Sequence, residues 1–115
     1  MSKRVLITAG ASGIGRAMAE AFSADGGQIW VTDIDGDALA QAPKSWHRSR
    51  VNVADEVQMS ALFDDVANSW GGIDVLCANA GVAGPTALVE DIALEDWKNC
   101  VSVNLEGAFL AVKHT

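Results

Sequence analysis

The chain has 115 residues, half of them hydrophobic and a fifth charged, which is the profile of one soluble globular domain and too little length for two. Its 8 Lys+Arg against 15 Asp+Glu give a formal charge of −7 and a pI near 4.5, which argues against an electrostatic hold on nucleic acid or anionic membrane. No stretch reaches the roughly 18 uninterrupted apolar residues of a membrane span. Tyrosine is absent beside four Trp and three Phe, which removes any mechanism needing a phenol on these residues.

Met1-Ser2-Lys3-Arg4 leads straight into the apolar run Val5-Leu6-Ile7-Thr8, which glycine-rich sequence follows at once; the run reads as a first strand and not as a signal peptide. A cytoplasmic location follows as the default expectation. From Ile14 the residues Ala17, Met18, Ala21 and Phe22 fall at helical spacing until Gly26-Gly27 stops them. Gln28 to Thr32 reads as a second strand, Asp35 to Ala42 as a short helix ended by Pro43, and Arg50 to Val53 as a third strand. Asp55 to Trp70 repeats the helical signal through Val57, Leu62 and Val66, with Gly71-Gly72 just past its end, where a left-handed cap is favoured. Ile73 to Ala78 reads as a fourth strand, residues 79 to 90 as a loop, and residues 94 to 114 as a last helix with Val101, Leu105, Ala108, Phe109 and Val112 on one face.

Strands alternating with helices call for parallel strands joined by right-handed crossovers, an open α/β sheet with helices on both faces. The first and fourth strand runs are apolar throughout and do not alternate, as strands covered on both sides do. Cys77 and Cys100 lie in apolar sequence without the spacing of a zinc or redox motif, and are expected as buried free thiols. His47 and His114 have no metal partner at ligand spacing, so no metal site is expected. The four Trp read as packing and interface residues.

Thr8-Ala9-Gly10-Ala11-Ser12-Gly13-Ile14-Gly15 joins the first strand to the first helix. A loop of small residues there lets backbone N–H groups and a helix N-terminus approach a pyrophosphate, although a tight turn with no ligand needs glycine as well. Asp33, at the end of the second strand, lies 18 residues after Gly15. A carboxylate there can accept hydrogen bonds from ribose hydroxyls and repel a 2′-phosphate, or it can be a solvated turn acid beside Asp35 and Asp37.

Together with Ala78-Asn79-Ala80-Gly81 and Val103-Asn104-Leu105-Glu106-Gly107, these residues resemble the N-terminal half of a short-chain dehydrogenase/reductase. The resemblance implies a Rossmann-like three-layer α/β/α fold whose parallel sheet, cut after the helix that follows the fourth strand, has the order 3-2-1-4. Residues 1–115 would then be a partial NAD(P)-binding domain. It also implies cofactor contacts from Thr8, Gly10, Ser12, Gly13, Ile14, Gly15, Asp33, Asn52, Val53, Asn79, Ala80 and Gly81. NAD is implied in preference to NADP, because Ser12 and Ile34 stand where NADP-preferring relatives often carry basic residues, and Asp33 agrees.

The departures are Ala9 in place of the family's first loop glycine, Asn52 in place of an Asp that holds the adenine amino group, and Ala78 in place of the first Asn of N-N-A-G. Asn104 matches the Asn of the catalytic tetrad, while the family's Ser and Tyr-x-x-x-Lys have no counterpart here. This chain alone is therefore expected to bind a dinucleotide at most and to be inactive by itself. The fourth strand would be an exposed apolar edge, and it and the last helix would bring chains together as a dimer or higher oligomer. An alternative reading is a remnant or interaction module that self-associates through that edge without cofactor. A flavodoxin-like phosphate-binding domain is a third reading, against which the N-A-G and V-N-L-x-G matches stand.

Overall fold

A computed structural model describes residues 2–115. In chain order the elements are β1 (Arg4–Thr8), α1 (Gly13–Ala24), β2 (Gln28–Asp33), α2 (Gly36–Ala40), β3 (His47–Arg50), α3 (Glu56–Trp70), β4 (Val75–Cys77), a 3-10 turn (Val89–Asp91), α4 (Leu94–Val101), a π-helical turn (Ser102–Glu106) and α5 (Gly107–His114). All pairings are parallel, as the alternation of strands and helices predicts, and the sheet order is β3-β2-β1-β4, as the family resemblance implies.

Strand periodicity explains the layers. Successive side chains of β1 leave on opposite faces, so Val5 and Ile7 enter one core with Ala19 of α1, Leu39 of α2 and Trp46, whereas Leu6 enters the other with Met59, Leu62 and Val66 of α3 and Leu110 of α5. Val5, Leu6 and Ile7 have no exposed surface, which is why the run is apolar at every position. The result is a Rossmann-like α/β/α arrangement.

Two clamps hold the strand ends. At the amino end, the Arg4 guanidinium donates to both Asp74 carboxylate oxygens at 3.0 Å and to the Trp70 carbonyl at 2.8 Å. Those bonds hold the Asp74 carboxyl down at about 2. Beside this clamp Trp30 stacks on His47 at 4.6 Å and meets the edge of Trp70 at 5.3 Å. At the carboxyl end, Thr8 and Asn79 form the second clamp, described below.

The third strand lies earlier than the apolar signal suggests. Its ladder runs over the polar residues His47 to Arg50, and Val51 adds one last N–H bond to the Asp33 carbonyl at 3.0 Å. Beyond Asp33 the partner strand turns into α2, so Val51 and Val53 are buried by α3 and its neighbours without being paired in the sheet. The fourth strand shortens to Val75–Cys77 for a related reason: only those residues find partners on β1. Each β4 residue is half-buried, and β4 is one of the two edge strands of the described sheet. Cys77 and Cys100 are free thiols but half-buried, and burial pushes the Cys77 thiol upward.

The last helical segment is interrupted where the sequence pattern predicts one helix. The π-helical turn takes up one extra residue's rotation between α4 and α5. Past it, the α5 end reaches the start of α3, where Lys113 Nζ and His114 Nε2 lie 2.6 and 3.0 Å from Glu56. His114 is thus half-buried against Phe63 and is not a free surface residue.

Candidate functional site

The crevice of an open α/β sheet lies beyond the carboxyl ends of its strands, where neighbouring connections leave in opposite directions. Here that point falls between β1 and β4. The Thr8 hydroxyl accepts the N–H groups of Asn79 and Ala80, both at 3.0 Å, and donates to the Cys77 carbonyl at 3.5 Å. Asn79 returns its amide N–H to the carbonyls of Thr8 at 3.2 Å and Ala9 at 3.4 Å. The Thr8 hydroxyl and the Asn79 amide nitrogen therefore join the two loops, and neither residue lines the cavity beside them.

Gly15 is required by this joint: a Cβ there would collide with the Ala9 carbonyl oxygen and stand 2.6 Å from Asn79 Nδ2. Gly13 has φ +58° and open space where a side chain would be, so its backbone is accessible from outside. Gly10 donates to the Thr32 carbonyl at 3.0 Å, which lays the loop onto β2.

α1 starts at this loop with unspent donors. Ser12 is its N-cap in extended conformation but makes no side-chain capping bond, and the first turn carries no acidic residue. Four N–H groups at a helix start need partners from outside the helix, and the helix dipole favours an anion there. Ser12, Gly13 and Ile14 are all exposed, Ile14 at 76 % despite its apolar side chain.

Beside the loop is a cavity of about 190 Å³. Ala9, Asp33 and Ile34 form one wall, Val51, Asn52 and Val53 a second, and Ala80, Gly81, Val82 and Val103 the third. Of the residues named from sequence, Asp33, Asn52, Val53, Ala80 and Gly81 meet here. Val51, Val82 and Val103 were not among them; the buried alternation of Val51 and Val53 is the signal that could have marked the first.

Asp33 is held by its neighbours. Its Oδ2 accepts the Ala11 N–H at 3.2 Å and its Oδ1 the Asp35 N–H at 3.1 Å, so the carboxylate is oriented while lone pairs remain on both oxygens. Asn52 makes an Asx turn, its Oδ1 accepting the Ala54 N–H at 3.0 Å. Asn104, in the π-helical turn, accepts the Val82 N–H at 2.7 Å and donates to the Val82 carbonyl at 2.9 Å. Its amide thus pins the third wall of the cavity through both its oxygen and its nitrogen.

Among the described residues no group of three His, Cys, Asp or Glu is placed to hold a metal, and no helix is long and apolar enough to cross a membrane.

The family profile for short chain dehydrogenases matches residues 3–115, and the chain belongs to that family. It is 38% identical over 115 residues to D-threitol dehydrogenase of Mycolicibacterium smegmatis, covering 94% of this chain and 44% of that protein. It is 35% identical to cis-4-hydroxycyclohexanecarboxylate dehydrogenase of Sinomonas cyclohexanicum, covering 95% of this chain and 46% of the relative. The crystal structure of NAD+-bound xylitol dehydrogenase superposes with a TM-score of 0.92 at 29% identity, over 97% of this chain and 46% of that one. The chain thus spans less than half the length of these relatives. Members of the family use nicotinamide dinucleotides, NAD or NADP.

The residues present fit such a group. A largely apolar cavity with one oriented carboxylate on its wall suits a nucleoside, and an uncapped helix start with an open glycine beside it suits a pyrophosphate.

Proposed function

We propose that this chain is the nucleotide-binding part of an NAD-dependent oxidoreductase acting on an alcohol or carbonyl. Bound there, the dinucleotide would supply the hydride acceptor or donor. Asp33 would accept hydrogen bonds from the adenosine ribose, and its negative charge would disfavour a 2′-phosphate. Asn52 and Val53 would border the adenine, with Ala80 and Gly81 opposite. The backbone of Ser12, Gly13 and Ile14 would face the pyrophosphate, while Thr8, Gly10, Gly15 and Asn79 keep the loop in place for it; Gly10, expected as a contact, is buried with its N–H bound to the Thr32 carbonyl. The observation that carries this reading is the juxtaposition of a carboxylate-walled cavity with a helix start that its own side chains leave uncapped.

Asn104 would act as the family's tetrad Asn through its backbone carbonyl, because its side chain is committed to Val82. The family's proton-donating phenol is not among these 115 residues, so the activity proposed for them is binding. Calorimetric titration with NAD and NADP tests it: binding of NAD with weaker or no binding of NADP supports the reading, and no heat with either overturns it.

A specific observation favours a second property. Leu94, Trp97, Leu105, Phe109 and Val112 on the last helical segment are each more than half exposed, and β4 is an apolar edge. We propose that these surfaces bring copies of the chain together as a dimer or higher oligomer, with a cytoplasmic location; a monodisperse monomer in light scattering contradicts the association. The same surfaces would serve an interaction module without cofactor, which the titration separates from the first reading.

A further inference from the structure

Ala9 has φ +53° and is the one residue other than glycine with a positive φ among the described residues. Residues with a Cβ avoid this left-handed region because the Cβ crowds the neighbouring carbonyl oxygen. The backbone around Ala9 leaves it no way to relax. Its carbonyl oxygen accepts from Asn79 Nδ2 at 3.4 Å, the next N–H is bound to the Thr32 carbonyl at 3.0 Å, and the one after that to Asp33 Oδ2 at 3.2 Å.

A glycine would satisfy the same three bonds without strain. The only thing that alanine adds is a methyl group, and Ala9 stands in the cavity wall between Asp33 and Ala80. Its carbonyl is turned to Asn79, and the residue is half-buried where it lines the cavity. In a space of about 190 Å³ one methyl group is a sizeable obstruction.

We infer that Ala9 limits the affinity of the nucleotide site: its methyl group projects into the cavity, limits how deeply an adenine nucleoside settles beside Asp33 and so weakens the hold on the dinucleotide. The inference rests on the nucleotide reading above.

The test compares the unsubstituted chain with Ala9→Gly and Ala9→Ser, using NAD and AMP as probes and a thermal melt alongside. Ala9→Gly is expected to bind both probes more tightly, by roughly tenfold, the scale on which one methyl group changes the fit of a pocket. Ala9→Ser keeps the Cβ and is expected to show no gain. A purely structural role would raise the melting temperature of Ala9→Gly and leave both affinities unchanged. That result, or weaker binding by Ala9→Gly, overturns the inference while the nucleotide reading stands. If neither the unsubstituted chain nor Ala9→Gly binds either probe, the nucleotide reading fails and the inference falls with it.

Discussion

Of the helices that begin beyond the carboxyl ends of parallel strands in this chain, α1 and α3 have first turns built in opposite ways. α3 is closed by its own side chains: Asp55 accepts the Gln58 N–H at 3.1 Å, Gln58 reaches back to Asp55 at 3.2 Å and accepts the Asn52 N–H at 2.8 Å, and Glu56 holds Lys113 and His114 of α5. α1 has no capping side chain and no acid in its first turn. The same backbone problem, orphaned N–H groups at a positive dipole end, is solved internally at α3 and left open at α1. Stability is concentrated at the first end and availability to an external anion at the second.

The largest break in this contrast is expected from Gly15→Ala. A methyl group there meets the Ala9 carbonyl and the Asn79 amide, both fixed by other bonds, so the loop and the β1–β4 joint must shift together. We expect a loss of about 3 kcal/mol in urea unfolding, with nucleotide binding lost as well.

Next comes Asp33→Ala, which removes a charged hydrogen-bond acceptor from the cavity wall. A weakening of about 2 kcal/mol, near thirtyfold in the dissociation constant for NAD, is expected from titration, together with a narrower gap between NAD and NADP. An unchanged NAD-to-NADP ratio would remove Asp33 from its proposed role.

A paired test addresses the two helix starts directly. Asp55→Ala takes the cap from α3 and should cost about 1 kcal/mol of stability while leaving NAD affinity as it was. Ser12→Asp places a carboxylate where α1 has none; it should add about 0.5 kcal/mol of stability and weaken NAD binding. The opposite signs in the second variant are the sharpest signature of a helix end kept open for a ligand.

The smallest effect is that of pH. Hydrogen bonds from Arg4 hold the Asp74 carboxyl at about 2 against an ordinary 3.8, and hydrogen bonds from Lys113 and His114 lower that of Glu56. Both carboxyls are depressed in the folded state, so their contribution is fully present above the ordinary carboxylate range and is lost as the pH falls toward about 2. Urea midpoints should decline through that acid window. The double variant Asp74→Asn, Glu56→Gln should flatten the decline, whereas α1's first turn has no carboxylate to contribute.

Much of the fold was legible from local pattern. β1, α1, β2 and α3 each carry a periodicity or stop signal that tertiary packing reinforces, and the parallel order follows from their alternation. β3 was displaced because burial and pairing part company there: Val51 and Val53 carry the apolar signal, while the ladder uses the backbone of the polar residues before them. The π-helical turn was also out of reach, since residues 94–114 have unbroken helical spacing and the irregularity goes with packing of the segment against α3 and the Val82 loop. Asn104 was marked by its family motif, but its side-chain bonds to Val82 depend on a loop that only the folded chain brings beside it.

By itself the sequence determined the element types and their succession, the small-residue loop before α1, and the acid at the end of β2, because these rest on periodicities and backbone preferences spanning a few residues. Only the tertiary structure decided that Thr8 and Asn79 face each other and not the cavity, that Asp33 is oriented by Ala11 and Asp35, and that Ala9 is held left-handed in the cavity wall. Most of those outcomes depend on hydrogen bonds between residues far apart in the chain, such as the 71 positions between Thr8 and Asn79, whose partners have no definite place until the sheet has formed.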